Sequence, residues 1–397
     1  MPIPTPFHTR TSRLSESQEW RDWAGYLAAS TYEYSHEREY YAIRNAAGLI
    51  DVSPLFKYEI SGPQSEALLN RILPRNARKC AVGQVMYSPW CDDDGKVIDE
   101  GTVARLAPDR FRVTAAEPNL VWFQDCGFGL DVEVQDVSSD LAALAVQGPS
   151  SRMILKEVLE AIDLDGLKYY RLAPAVTDGV PLTVSRTGYT GDLGYELWIP
   201  ADRAEAIWDL IMDRGAGYGA MPAGMVALDI ARIEAGLLLI QVDYVSSRKA
   251  LIESQKSSPF EIGLGWTVDF QKGDFIGRSA LLEEQAKGSR WGLAGLEIDW
   301  ESLESLYRKY DLVPQLAGRA SRAAVPVYFN GRQIGQATSQ TFSPILKKYI
   351  AICTLEREFT TPGTEVEMEI TVEYKRHRAN GIVKKLPHYN PPWKKAG

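Results

Sequence analysis

Residues Ser185–Pro200 read SRTGYTGDLGYELWIP. The head of this stretch is rich in turn formers. Gly188, Gly191 and Gly194 recur at a fixed spacing, and glycine permits positive φ and a close approach of the backbone to something flat or bulky. The tail, Tyr195-Glu196-Leu197-Trp198-Ile199, alternates aromatic and branched residues and predicts a strand. Glu196 interrupts that apolar run. A carboxylate on such a strand is costly to bury unless donors face it. Either an arginine or water satisfies it, or a ligand does.

Composition limits what surrounds this stretch. A chain of 397 residues is too long for one core and suits two or three domains. The net charge of −8 argues against nucleic acid as the main partner. Cys80, Cys91, Cys126 and Cys353 include no CxxC pair, so neither a zinc site nor a disulfide framework is expected, and a reducing cytoplasm is. No apolar run approaches the length of a membrane span, and MPIPTPFHTRTSR lacks the apolar segment of a signal peptide. His36-Glu37 is followed by Tyr40 where HExxH needs histidine, and Asp92-Asp93-Asp94-Gly95 reads as a hairpin turn rather than a calcium loop. No metal site is expected. No GxGxxG follows a strand, so the chain itself is not expected to bind flavin.

Helices are expected over Ser15–Ala29, Glu37–Gly48, Gln64–Leu73, Arg203–Asp213 and Gly224–Ala235, from their apolar periodicity. Gly83–Trp90 and Val97–Leu106 read as strands joined at the Asp-Gly turn. After Gly288 short, evenly spaced strands predict a small β-barrel or sandwich.

RTGYTGDLGYEL closely resembles the signature of the aminomethyltransferase (glycine cleavage T-protein) family, written around RTGYTGEDGFE. Further anchors lie in register from about Tyr40 to Tyr389: Gln147-Gly148-Pro149, Ala231–Leu237 (ARIEAGL), SPFEIGLGWTVDFQKGDFIGR over 258–278, Thr341-Phe342-Ser343-Pro344 and KKLPHY at 384–389. The resemblance implies an α+β, multidomain, three-domain cloverleaf with a C-terminal β-barrel. Its expected units are a discontinuous folate-binding domain (1–55 and 141–286), an inserted α/β domain (56–140) and a barrel domain (287–390).

It also implies tetrahydrofolate as the cofactor, with Glu196 holding the pterin and Tyr87, Tyr189, Arg232 and Trp266 beside it. Asp99 falls on the first aspartate of the family's GGxxDDLxV segment and takes the catalytic role, although one register step would exchange it for Glu100. Trp23 and Tyr244 fall on the substrate side. Two departures stand out. Pro54-Leu55 replaces His-Met after Asp51-Val52-Ser53, and Ile240–Tyr244 replaces the family's YGND. The implied activity is one-carbon transfer to N5 of tetrahydrofolate from a small-molecule or lipoyl-protein donor. A demethylase making 5-methyltetrahydrofolate is the alternative. A binding-only relative and a subunit of an amine-oxidising complex are further possibilities, and the first is disfavoured because Asp274 stands where such relatives carry cysteine. Oligomeric state is left open.

Overall fold

The computed structural model describes residues 1–395. Three sheets organise it. The first has six strands in the order Leu172–Thr177, Val180–Ser185, Gly194–Pro200, Leu141–Gln147, Ala47–Asp51, Ala220–Pro222. All neighbours pair antiparallel except the last two, which run parallel. The second has five strands, Val85–Cys91, Val97–Ala107, Arg110–Ala115, Phe56–Ser61 and Glu133–Asp136, and the third closes into a six-stranded barrel over 291–384. The fold is the expected mixed, multidomain one with a C-terminal barrel. Among the described residues no helix is long and apolar enough to cross a membrane.

The alternating tail behaves as its pattern requires. Tyr195, Leu197 and Ile199 face the core formed with the Ser151–Val158 and Ala204–Gly215 helices. Trp198 faces the opposite cluster, with Tyr40, Ile43, Leu228 and Ile230 from the Glu37–Asn45 and Met225–Glu234 helices. Glu196, two residues from Trp198, shares that second face.

The glycines of the head have a structural cause. A Cβ on Gly188 or Gly194 would lie 2.0 or 2.2 Å from Gln147 Oε1. The buried Gln147 amide donates to the carbonyls of Thr187 and Tyr195 (both 3.2 Å) and accepts from the Thr190 hydroxyl (2.9 Å). The bulky object these two glycines approach is therefore the chain's own glutamine. A second buried node fixes the head from behind. Arg44 donates to Glu234 (2.5 Å) and the Thr190 carbonyl (2.9 Å), and Glu234 accepts from Tyr40 (2.6 Å) and from Ser343 of the barrel (2.5 Å). Asp192 accepts from Trp393 (2.7 Å) near the C-terminus. The stretch is thus tied to helix, barrel and C-terminal segment at once.

Residues 15–29 differ from expectation. Trp20–Trp23 and Tyr26–Ala29 form a two-stranded hairpin, not a helix. The turn is made by Ala24 (φ 52°) and Gly25 (φ 84°), and Asp22 Oδ1 accepts from the Gly25 N–H at 2.8 Å. That local bond outcompetes helix formation.

Gly101 fixes the strand that carries the candidate carboxylates. A Cβ there would lie 1.8 Å from the Thr114 carbonyl oxygen on the neighbouring strand, and a backbone atom cannot step aside as a side chain does. Gly101→Ala is expected to destabilise the protein by ~1–3 kcal/mol, as overpacking does, read as a lower urea midpoint at unchanged slope. A wild-type midpoint would contradict the close packing.

Candidate active site

Glu196 and Glu100 are the two carboxylates of the site, and they come from different sheets. Glu196 is partly exposed at the residue level, yet its carboxyl group is held above the usual range by burial, against the Thr187 hydroxyl that donates to it. No second donor from the described residues reaches it. One carboxylate edge is therefore free to accept.

Register decides the other carboxylate. Tyr87 opposes Thr102 and Pro89 opposes Glu100 in the Val85–Cys91/Val97–Ala107 pair, whereas Trp90 opposes Asp99. Successive side chains alternate, so Glu100 shares the face of Tyr87 and Asp99 takes the opposite one. Asp99 is 0% exposed and accepts from the backbone N–H groups of Glu100 (2.8 Å) and Glu117 (2.9 Å) and from Asn119 Nδ2 (3.0 Å). Asn119 in turn accepts from Trp90 Nε1 at 3.2 Å. Asp99, expected as the catalytic group, is thus engaged by three donors inside the five-stranded unit. Glu100 is the carboxylate facing the tyrosines. Burial raises it to about 7, and the Tyr87 phenol, facing it as a donor, offsets part of that rise.

Tyr87, Tyr170, Tyr189 and Tyr244 all lie within electrostatic reach of Glu100. Burial raises all four phenols, so they are neutral donors at neutral pH. Tyr189 uses its hydroxyl on the Leu238 carbonyl. Tyr244 is 3% exposed and its hydroxyl has no partner among the described residues. Tyr170 also feels Glu196, which makes it the link between the two carboxylates. Sequence reasoning missed it. Its signal is conformational: Tyr170 has φ 60°, an uncommon backbone state for a bulky residue and one found disproportionately at functional sites.

The remaining expected residues divide. Trp23 packs on the same cluster as Tyr189 and Leu55, so the expected substrate side and one of the two departures meet there. Arg232 does not reach toward Glu196. It is 1% exposed and spent on Asp229 (2.8 Å), Asp243 (2.5 Å) and Ser339 (2.7 Å), pinning the segment after its helix to the barrel. Trp266 is not part of the core. It is 63% exposed, with the Arg75 guanidinium 5.1 Å from its ring centre, in a cleft that includes Lys79 and Asp269. Arg75 also donates to the Tyr87 carbonyl (2.7 Å) and is felt by Tyr170, so this cleft adjoins the tyrosine site. Among the described residues no group of three or more His, Cys, Asp or Glu is placed to hold a metal ion.

The GCVT N-terminal domain family matches residues 8–272, and the glycine cleavage T-protein C-terminal barrel domain matches residues 311–389. The chain belongs to the glycine cleavage T-protein family. An aminomethyltransferase of Halothermothrix orenii is 34% identical over 88% of this chain and 90% of its own length. Trimethylamine-oxide aldolase of Ruegeria pomeroyi is 35% identical over 98% of this chain, which spans 47% of that longer protein. The fold is also that of a solved relative, the glycine cleavage system aminomethyltransferase T of Bartonella henselae, with a TM-score of 0.82 at 24% identity over 98% of this chain and 99% of the other.

Proposed function

We propose that the chain transfers a one-carbon unit from a donor to N5 of tetrahydrofolate. The observation that carries this reading is Glu196, a desolvated carboxylate with one edge satisfied by Thr187 and the other open. A pterin edge offers a ring N–H beside an exocyclic amine, which such a carboxylate accepts as a pair. The residues fit the group: Glu196 holds the pterin, Tyr87 and Tyr170 border it, and the Trp266–Arg75 cleft suits the anionic tail. Tetrahydrofolate, when bound, supplies the nucleophilic nitrogen.

The chain's part is binding, orientation and charge. Glu100, ionised, stabilises positive charge that develops on the transferred carbon and its nitrogen, and it accepts the proton released there. This role moves from Asp99 to Glu100 because Asp99 is already spent on three internal donors. Tyr87 keeps Glu100 oriented.

A demethylase reading is favoured by a specific observation. Tyr244, inside the Ile240–Tyr244 departure, presents an unpartnered buried hydroxyl on the Glu100 side. Trp23 and Leu55 add an apolar wall at the other departure. The relationship to an aldolase of trimethylamine oxide supports a small methylated donor. A lipoyl-protein donor remains the reading closest to the relatives called aminomethyltransferases.

Single-turnover reactions separate these. Protein and tetrahydrofolate are mixed with methylated amines, ethers and sulfonium compounds, and separately with aminomethyl-loaded lipoyl protein, and the folate product is weighed. A 5-methyl product establishes demethylation and a 5,10-methylene product with ammonia establishes aminomethyl transfer. No product with any donor, and no folate binding, would overturn the proposal. The rate should rise with pH through about 7 as Glu100 ionises, and Glu100→Gln should remove that rise. A rate falling through the same range would contradict Glu100 as the base.

A further inference from the structure

Arg112, on the Arg110–Ala115 strand, reaches into the seam between the five-stranded and six-stranded sheets. It is 7% exposed, and its guanidinium lies 5.1 Å from the ring centre of Trp198. Among the described residues its side chain makes no hydrogen bond and no ion pair, and its Nε is sealed from solvent without a partner. The carboxylate opposite it, Glu59, is 3.7 Å from Arg110. A second buried cation stands nearby. Lys57, 0% exposed, feels the charge of Arg112 and donates to the carbonyls of Ser53 (2.7 Å) and Ser138 (3.2 Å). Asp51 and Asp136 balance Lys57, but Glu59 is the one carboxylate acting on Arg112. A desolvated guanidinium with unused donors is costly unless an anion pairs with it.

The seam provides a little room and one further donor. Thr102, Thr114, Thr183 and Ser185 line a narrow cleft with Arg112 and Trp198. The Thr183 hydroxyl has no partner among the described residues. The free space is about that of one water molecule. Thr187, the donor to Glu196, also lines the cleft, so the cleft adjoins the carboxylate that would hold the pterin.

We infer that this seam is a binding site for a small monovalent anion, held by Arg112 and the Thr183 hydroxyl. A halide and the carboxylate end of a small organic ligand share the required chemistry: compact negative charge and acceptor capacity for a guanidinium fork. The site joins two sheets. It also touches the folate side, since Thr187, which lines the cleft and shares a hydrogen bond with Ser185 (2.8 Å), donates to Glu196.

The test uses the full chain without folate, so it stands or fails apart from the proposed activity. Thermal unfolding is followed in chloride, bromide, formate, acetate or gluconate at equal ionic strength, and crystals soaked in bromide are measured for anomalous scattering. The expected result is a bromide peak at the Arg112 guanidinium and a Tm that rises with the logarithm of chloride, bromide or formate concentration, by about 2 °C or more at ~0.1 M, but not with gluconate. Formate displacing bromide would assign the site to carboxylate ends as well as halides, and failure to displace it would restrict the site to halides. Arg112→Met should abolish the peak and the shift, and the milder Thr183→Val should weaken the concentration dependence several-fold. Water alone in the cleft, a bromide peak without a Tm shift, or an Arg112→Met protein that retains the shift would overturn the inference.

Discussion

Glu196→Ala should lower tetrahydrofolate affinity about 100-fold or more. Removing one partner of a buried, charge-assisted pair costs ~2–5 kcal/mol, and each 1.4 kcal/mol is about tenfold. The loss should be specific, because among the described residues the Glu196 carboxylate is bonded only to Thr187, and the loop that carries Thr187 is held independently by Gln147 and Arg44. Calorimetric titration with tetrahydrofolate checks the affinity and circular dichroism checks the fold. Glu196→Gln, which keeps an acceptor oxygen but no charge, should fall between. A wild-type dissociation constant for Glu196→Ala would refute the assignment of the pterin carboxylate.

The second large effect is on turnover. Glu100→Gln should reduce kcat by about 10²–10³, the ~2.7–4 kcal/mol typical of losing one group that stabilises transition-state charge, while tetrahydrofolate affinity changes only a few-fold. The same substitution should also show the cost of placing the carboxylate there. The folded protein raises Glu100 to about 7, against roughly 4.3 in an unfolded chain. A group raised in this way contributes stability below the unfolded value and loses it as pH rises through about 7. Glu100→Gln should therefore be more stable than wild type at pH 8 and gain nothing at pH 4. Asp99→Asn is the contrast: its main effect should be a stability loss of ~1–3 kcal/mol, because asparagine keeps one acceptor oxygen and turns the other into a donor facing donors. If Asp99→Asn abolished turnover in a fully folded protein while Glu100→Gln did not, the two roles would be reversed.

How much of this was legible in the sequence depends on whether a residue's role is set locally. The strand at Tyr195–Ile199 was legible because its alternation is its own, and so was the barrel, whose strands and turns recur at short range. The Asp99/Glu100 choice was not. It is fixed by which residue of the Val85–Cys91 strand lies opposite, and by a register shift between Trp90 and Cys91 that adjacent sequence does not announce. The glycines at 188 and 194 were readable as close approaches, but the object approached, Gln147, lies 41 and 47 positions earlier. Arg232 was drawn toward the folate by motif alone. Its partner Asp229, one helical turn back, was within reach of inspection, whereas Asp243 and Ser339 meet it only in the folded chain. The 20–29 hairpin escaped because its turn is Ala24-Gly25 braced by Asp22, without the Asn-Gly or Asp-Gly pair that marks such turns.

The most direct measurement is a structure of the full chain with tetrahydrofolate bound. The pterin ring N–H and exocyclic amine should sit on the free edge of Glu196, with the reacting nitrogen nearer Glu100 than Asp99 and the tail running toward Trp266 and Arg75. A pterin seated away from Glu196, or with its reacting nitrogen turned from the Tyr87 face of the strand, would contradict this placement.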